Sequence, residues 1–212
     1  MIQPSKFIPA RPEDFVGTGD YGAHTAAHEL VGLVNQARAN HNSSLAVLIN
    51  GRPGIGKSAL CRWFIHDLLG CGKFSIIRKN GSEVDKEFIT QLAGQLGYRD
   101  LYSEYKAIWI EECDLMSLPA QGRSLTYLDD LNESTGTVFL CTSNCKLADF
   151  EPRFSSRFNV FELQPPTAEE IEPLLARWLR HPEAIRQIAR LAAGNVRAAL
   201  KDADRQFAAE NP

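Results

Sequence analysis

The stretch LAVLINGRPGIGKSALCRWFIHDLLG, residues 45–70, constrains this chain more than any other. A short apolar, β-branched run over 45–50 meets a Gly-rich turn, and beyond it apolar residues recur at helical spacing until Gly70. The turn GRPGIGKS, Gly51 to Ser58, fits G-x-x-x-x-G-K-[ST]. Its glycines let backbone N–H groups curl around phosphate oxygens, Lys57 reaches the β and γ phosphates, and Ser58 presents a hydroxyl to Mg²⁺. The helix N-terminus that follows favours an anion. A chance match in a chain this long is of order one in a hundred, and the flanking strand and helix make an ordinary Gly-rich turn the weaker reading. The residues expected to contact the nucleotide are Gly51, Pro53, Gly54, Ile55, Gly56, Lys57, Ser58 and Ala59.

The same alternation continues. KFSIIRK (73–79) reads as a second strand, SEVDKEFITQLAGQLGY (82–98) as a helix capped by Ser82 or a neighbour, and AIWIEE (107–112) as a third strand. A helix over 119–133, a strand over 137–144 and a last strand over 158–163 follow. Strands alternating with helices imply a parallel sheet covered on both faces. After Gln164, Pro165 and Pro166 three helical stretches run without a strand, and the prolines mark a boundary. The expected architecture is α/β: a P-loop NTPase three-layer sandwich on a five-stranded parallel sheet (1–165), with a small all-helical lid (166–212).

Composition narrows the function. With 212 residues, 44% of them hydrophobic, the chain can bury the core of one large domain or of a domain with a small satellite. A net charge of −3 gives no global drive towards DNA or anionic membrane, so nucleic-acid binding has to be argued from sites. No stretch approaches the roughly 18 apolar residues of a membrane span, and MIQPSKFIPARPEDF lacks a leader's pattern. The reading is a soluble, cytoplasmic protein without membrane partners. The five cysteines form no C-x-x-C pair and are read as reduced, mostly buried residues.

A second motif lies in AIWIEECDLMS (107–117). A P-loop ATPase needs an acid at the end of a second buried strand to organise Mg²⁺, and in one large division the next residue is a glutamate that polarises the attacking water. Glu111 and Glu112 occupy those two places, Glu111 acting through water. Because KFSIIRK intervenes in the chain between the P-loop strand and this one, the sheet is expected to carry an extra inserted strand. Acids in a solvated turn after a buried strand are common, and without the P-loop that would be the better reading.

These motifs resemble the AAA+ ATPases, and within them the clamp-loader branch of replication factor C small subunits, with the Holliday-junction branch-migration motor a close relative. RPEDFVG (11–17) is similar to the segment that covers the adenine, KNGSEVDKEF (79–88) to the family's Asn-Ala-Ser-Asp segment, and EECD (111–114) to its Asp-Glu-Ala-Asp. The resemblance runs from about residue 11 to 207 and departs from the pattern at Glu111. It implies three further roles. Asn144 resembles sensor 1, which orients the water. Arg157 in EPRFSSRFNVF resembles the arginine finger that reaches a neighbouring subunit's γ-phosphate, with Arg153 as a competing finger. Arg197 in GNVRAAL resembles sensor 2, with Gly194 ending one helix and Asn195 capping the next. An arginine in a first helical turn opposes the dipole, which favours a functional reason for it.

The resemblance thus implies an ATP- and Mg²⁺-dependent oligomer, pentameric or hexameric, with catalytic Glu112, Asn144, Arg157 and Arg197. Its work is expected to be that of a DNA-replication or repair motor or loader acting on DNA or a DNA-bound protein. A protein-remodelling or scaffold module is the alternative, and a weakly hydrolysing ATP switch the third reading. His24 and His28 lack the second histidine of H-E-x-x-H and are not read as a metal site. Cys141 and Cys145 are read as packing residues, and Trp63, Phe64 and Trp109 as core.

Overall fold

The computed structural model describes residues 3–96 and 103–210. Its elements are α1 (Ala23–Ala39), β1 (Leu45–Gly51), α2 (Lys57–Trp63), β2 (Ile76–Asn80), α3 (Lys86–Ala93), β3 (Lys106–Glu111) and α4 (Leu118–Asn132). They continue with β4 (Thr137–Ser143), α5 (Pro152–Ser155), β5 (Asn159–Leu163), α6 (Ala168–Leu175), α7 (Pro182–Ala192) and α8 (Val196–Glu210). The chain clusters into two compact units, residues 1–28, 51–63 and 163–212 in one and 29–50 with 64–162 in the other.

The larger unit is built on the five-stranded parallel sheet, ordered β2-β3-β4-β1-β5. The inserted strand expected from the sequence is β4, which lies between β1 and β3, while β2 forms an edge. β4 is buried along its whole length and β1 at all but its last residue, as befits central parallel strands rich in Val, Ile and Leu. On one face Leu48, Ile108, Ile110 and Phe139 pack with Ile89 and Leu92 of α3 and Ala120, Leu128 and Leu131 of α4. The register pairs Asn80 with Glu111 and Ile110 with Cys141. That register is what aligns the strand ends carrying the polar residues.

In the smaller unit α6, α7 and α8 close on Ile171, Leu175, Leu179, Ile185, Ala189 and Ala199. Thr167 opens α6 with a reciprocal cap, its hydroxyl accepting from the Glu170 N–H while Glu170 accepts from the Thr167 N–H. The N-terminal segment is tied to these helices. Arg177 donates to Asp14 at 3.0 Å, Thr18 donates to Glu170 at 2.7 Å, and Phe7 packs edge-on against Trp178.

Several local expectations change. Helix α3 begins at Lys86, after the Ser82 start expected from the sequence, because the Asp85 carboxylate accepts the Phe88 N–H at 2.7 Å and caps there; the expected end at Gly97 and Tyr98 lies outside the described residues. The helix after the P-loop loosens into a π turn at Phe64–Leu68, where Leu69 N–H bonds to Phe64 C=O. Helix α1 was not anticipated, although Ala23, Ala26, Ala27, Leu30, Val34 and Ala37 form a buried helical stripe. Trp63, Phe64 and Trp109 are core residues, and four of the five free cysteines are buried, Cys145 partly so. No described helix is long and apolar enough to cross a membrane.

Candidate active site

The predicted site residues fall into groups, each built within one unit. In the smaller unit the P-loop runs from the end of β1 into α2. Gly51, Gly54 and Gly56 all have positive φ, at 146°, 86° and 109°, the conformations that curl backbone N–H groups inwards and that side chains disfavour. Gly54 is further constrained from outside the loop. A Cβ there would lie 2.2 Å from the Asn195 side-chain oxygen. The Gly54 carbonyl accepts the Arg197 N–H at 3.0 Å, and Asn195 caps α8 by accepting the Ala198 N–H at 3.0 Å. The loop backbone therefore satisfies one of the orphan donors at the start of α8, and Arg197 itself is exposed.

Lys57 is buried, 8% exposed, and its ammonium donates to the carbonyls of Gly51 and Arg52, drawing the loop around itself. Ile55 is buried beneath the loop, whereas Pro53 is exposed. Ser58 and Ala59 are half-buried in the first turn of α2, and the Ser58 hydroxyl has no intramolecular partner among the described residues.

In the larger unit Glu112 follows the last residue of β3 in the left-handed conformation, φ 53° and ψ 52°. This costs backbone strain of about 1–3 kcal/mol, and the surroundings fix it. The Glu112 N–H donates to the Thr142 hydroxyl on β4 at 3.2 Å. One carboxylate oxygen accepts the Asn80 amide at 3.1 Å, and the other accepts the Asn144 amide at 3.4 Å. Gly81 lies directly beside this corner, since a Cβ there would be 2.1 Å from the Glu112 carbonyl oxygen. Asn144 is oriented in turn by Asp114, which accepts its backbone N–H at 3.2 Å. Asp114 also lies 3.5 Å from the Cys145 thiol, whose pKa is pushed up by burial and by that carboxylate.

Glu111 is turned aside from Glu112. One of its oxygens receives both Arg78 Nη2 at 2.6 Å and Arg78 Nε at 2.8 Å, and the Arg78 guanidinium lies 4.2 Å above the Trp109 ring. The other oxygen has no partner among the described residues. The Ser58 hydroxyl in the smaller unit and the Glu111 carboxylate in the larger are each hard oxygen donors, the ligand type that a hydrated Mg²⁺ takes. Arg157, beyond α5, is gripped by Asp129 of α4 at 2.7 and 2.9 Å, while Arg153 is exposed. His24 and His28 stack edge-on, and no group of three or more ligating side chains that could hold a metal ion exists among the described residues.

Sequence reasoning missed Asn80, Thr142 and Arg78 as partners of the glutamates, and Asp114 as the partner of Asn144. Asn80 lay within the recognised KNGSEVDKEF segment, and its position opposite Glu111 in the strand register was the signal that could have found it.

Residues 47–166 match the model of the AAA family, the ATPase family associated with various cellular activities. Comparison with curated proteins finds no match. Among solved structures, the Thermotoga maritima RuvB Holliday junction branch migration motor is similar in fold, with a TM-score of 0.73 at 18% identity over 94% of this chain. A threonine-to-valine variant of that protein gives 0.73 at 17% over 94%, and an arginine-to-alanine variant 0.72 at 17% over 92%. The chain spans 64%, 64% and 63% of these structures.

Proposed function

This chain belongs to the AAA family of ATPases, and from that premise we propose that it binds and hydrolyses ATP with Mg²⁺ at interfaces between subunits, as a clamp-loader-like motor or loader in DNA replication or repair. The observation that supports this most is Glu112, a carboxylate held at a strand end between two amides in a backbone conformation that its surroundings enforce. In this reading the P-loop N–H groups and Lys57 bind the β and γ phosphates. Ser58 and Glu111 would hold Mg²⁺, Glu111 through water; the ion supplies charge neutralisation on those phosphates. Glu112 accepts the proton of the attacking water and Asn144 orients that water. Arg197 reports phosphate state to the lid, and Arg157 of a neighbouring copy completes the site. The division into a nucleotide-binding domain, 1–165, and a helical lid, 166–212, and a cytoplasmic location belong to the same proposal.

The likeness to a Holliday junction branch migration motor supports the DNA side of this reading. DNA-stimulated turnover with a steep salt dependence would follow from released counterions. The Arg78–Glu111 ion pair favours a second reading, an ATP-binding switch that hydrolyses weakly, because the cation occupies an oxygen of the carboxylate assigned to Mg²⁺.

Mixing Lys57→Ala with Arg157→Ala protein tests the shared site. Recovered ATPase activity in the mixture is expected, and no recovery at any ratio or concentration would count against it.

A further inference from the structure

The sequence reading gives Arg157 by resemblance as an arginine finger, and the fold gives it a partner that the finger reading does not require. Asp129 lies near the end of α4, and its carboxylate meets the guanidinium side-on, Nε at 2.7 Å from one oxygen and Nη2 at 2.9 Å from the other. Nη1 donates to the Arg153 carbonyl, four residues back, at 2.6 Å. A guanidinium has five N–H donors. Three are bonded, so two remain, one on each terminal nitrogen.

We propose that Asp129 is a positioning residue for Arg157: it grips one edge of the guanidinium so that the two remaining N–H groups form a preset fork for the phosphate bound by a neighbouring copy of this chain. This rests on the reading of Arg157 as a finger acting in trans.

Three features argue for positioning over a casual surface pair. Exposed ion pairs are commonly weak because two long side chains must be ordered, whereas here a bidentate carboxylate and a backbone carbonyl fix one planar group in three places. The geometry is the charge-assisted fork that arginine makes best. The Arg157 side chain is 25% exposed, ordered but still reachable, while Asp129 at 55% stands towards solvent. The hydrogen bond from Arg157 holds the Asp129 carboxyl below the usual carboxylate range and strengthens the charge on the arginine in return. The pair therefore stays ionised at neutral pH. An arginine ordered before its phosphate arrives loses less freedom on contact, which is how preorganised donors gain their effect in a transition state.

The test is steady-state ATPase activity and nucleotide affinity for wild type, Asp129→Ala, Asp129→Asn, Asp129→Glu, Arg157→Ala and the Asp129→Ala/Arg157→Ala double variant. Misplacing a reacting group by about 1 Å costs up to about 100-fold in rate, so Asp129→Ala is expected to lower kcat by roughly 10- to 100-fold. Nucleotide affinity should stay unchanged. Asp129→Asn keeps the size and one acceptor and should fall in between, Asp129→Glu should recover part of the rate, and the double variant should be no slower than Arg157→Ala. The defect should travel with the donor of the finger: adding Lys57→Ala subunits, whose Asp129 and Arg157 are intact, should restore turnover to Asp129→Ala protein. A rise in kcat for Asp129→Ala would mean that Asp129 hides the finger, and it would overturn the proposal. So would wild-type kcat in Asp129→Ala alongside a crippled Arg157→Ala, or failure of the mixture to recover. Wild-type kcat in Arg157→Ala itself would instead remove the finger reading on which the proposal stands.

Discussion

The Asn80 side chain donates its amide to Glu112 at 3.1 Å, joining the end of edge strand β2 to the residue after β3. In the proposed reaction this amide touches the carboxylate that receives a proton. Asn80→Asp puts a second carboxylate at that distance, and two like charges so close resist being ionised together. The acid limb of the kcat pH profile is expected to move to higher pH, with activity at about pH 6 falling more than at about pH 8. A full pH–rate profile measures it, and an unmoved acid limb would separate Glu112 from the proton transfer.

Gly81 fixes the same corner by steric means. A methyl group there meets the Glu112 carbonyl at 2.1 Å, backbone against side chain, with no flexible end to yield. Gly81→Ala is expected to cost about 1–3 kcal/mol of stability and to reduce kcat by at least about 10-fold as Glu112 shifts. Denaturant unfolding and ATPase assays on the same protein check both, and unchanged kcat would show that Glu112 tolerates the displacement.

How far the sequence could carry this site depends on what kind of information each part needed. The P-loop could be read because its glycines, lysine and serine are fixed by local chemistry, and Glu112 could be singled out only because a P-loop precedes the buried strand that it follows. Asn195 was readable as a cap for the same local reason. The partners of Glu111 and Arg157 were not legible. Arg78 meets Glu111 through the register of two strands 33 residues apart, and Asp129 meets Arg157 across 28 residues of chain. Helix α1 was missed for another reason, since its stripe is made largely of alanines, which signal burial weakly.

In the proposed site Arg78 competes with Mg²⁺ for the Glu111 carboxylate. Arg78→Gln removes the cation that pairs with Glu111 and lies over Trp109. If Glu111 organises Mg²⁺, the Mg²⁺ concentration for half-maximal ATPase activity falls, by roughly 2- to 10-fold, as expected for one partly exposed charge. A Mg²⁺ titration reads this directly. An unchanged midpoint would take Glu111 out of the metal site.

Glu170 makes the smaller unit sensitive to acid. Burial alone would raise its pKa, but the N–H groups of Thr18 and Thr167 and their hydroxyls outweigh that and hold it below the usual carboxylate range. A depressed folded-state value stabilises the fold above the unfolded carboxylate's range, near pH 4.3, and that contribution is lost as pH falls through the folded value. Thermal midpoints from about pH 7 down to about pH 3 should therefore show wild type exceeding Glu170→Gln at the upper end, with the gap narrowing below about pH 4. A gap constant with pH would contradict it.

The central claim is that this chain hydrolyses ATP with Glu112 as the group that activates water. Steady-state turnover and ATP binding by wild type and Glu112→Gln test it most directly. The account predicts turnover in wild type, and in Glu112→Gln a loss of about 10²- to 10⁴-fold in kcat with ATP still bound. Equal turnover in the two proteins, or none in wild type under conditions where ATP and Mg²⁺ bind, would contradict it.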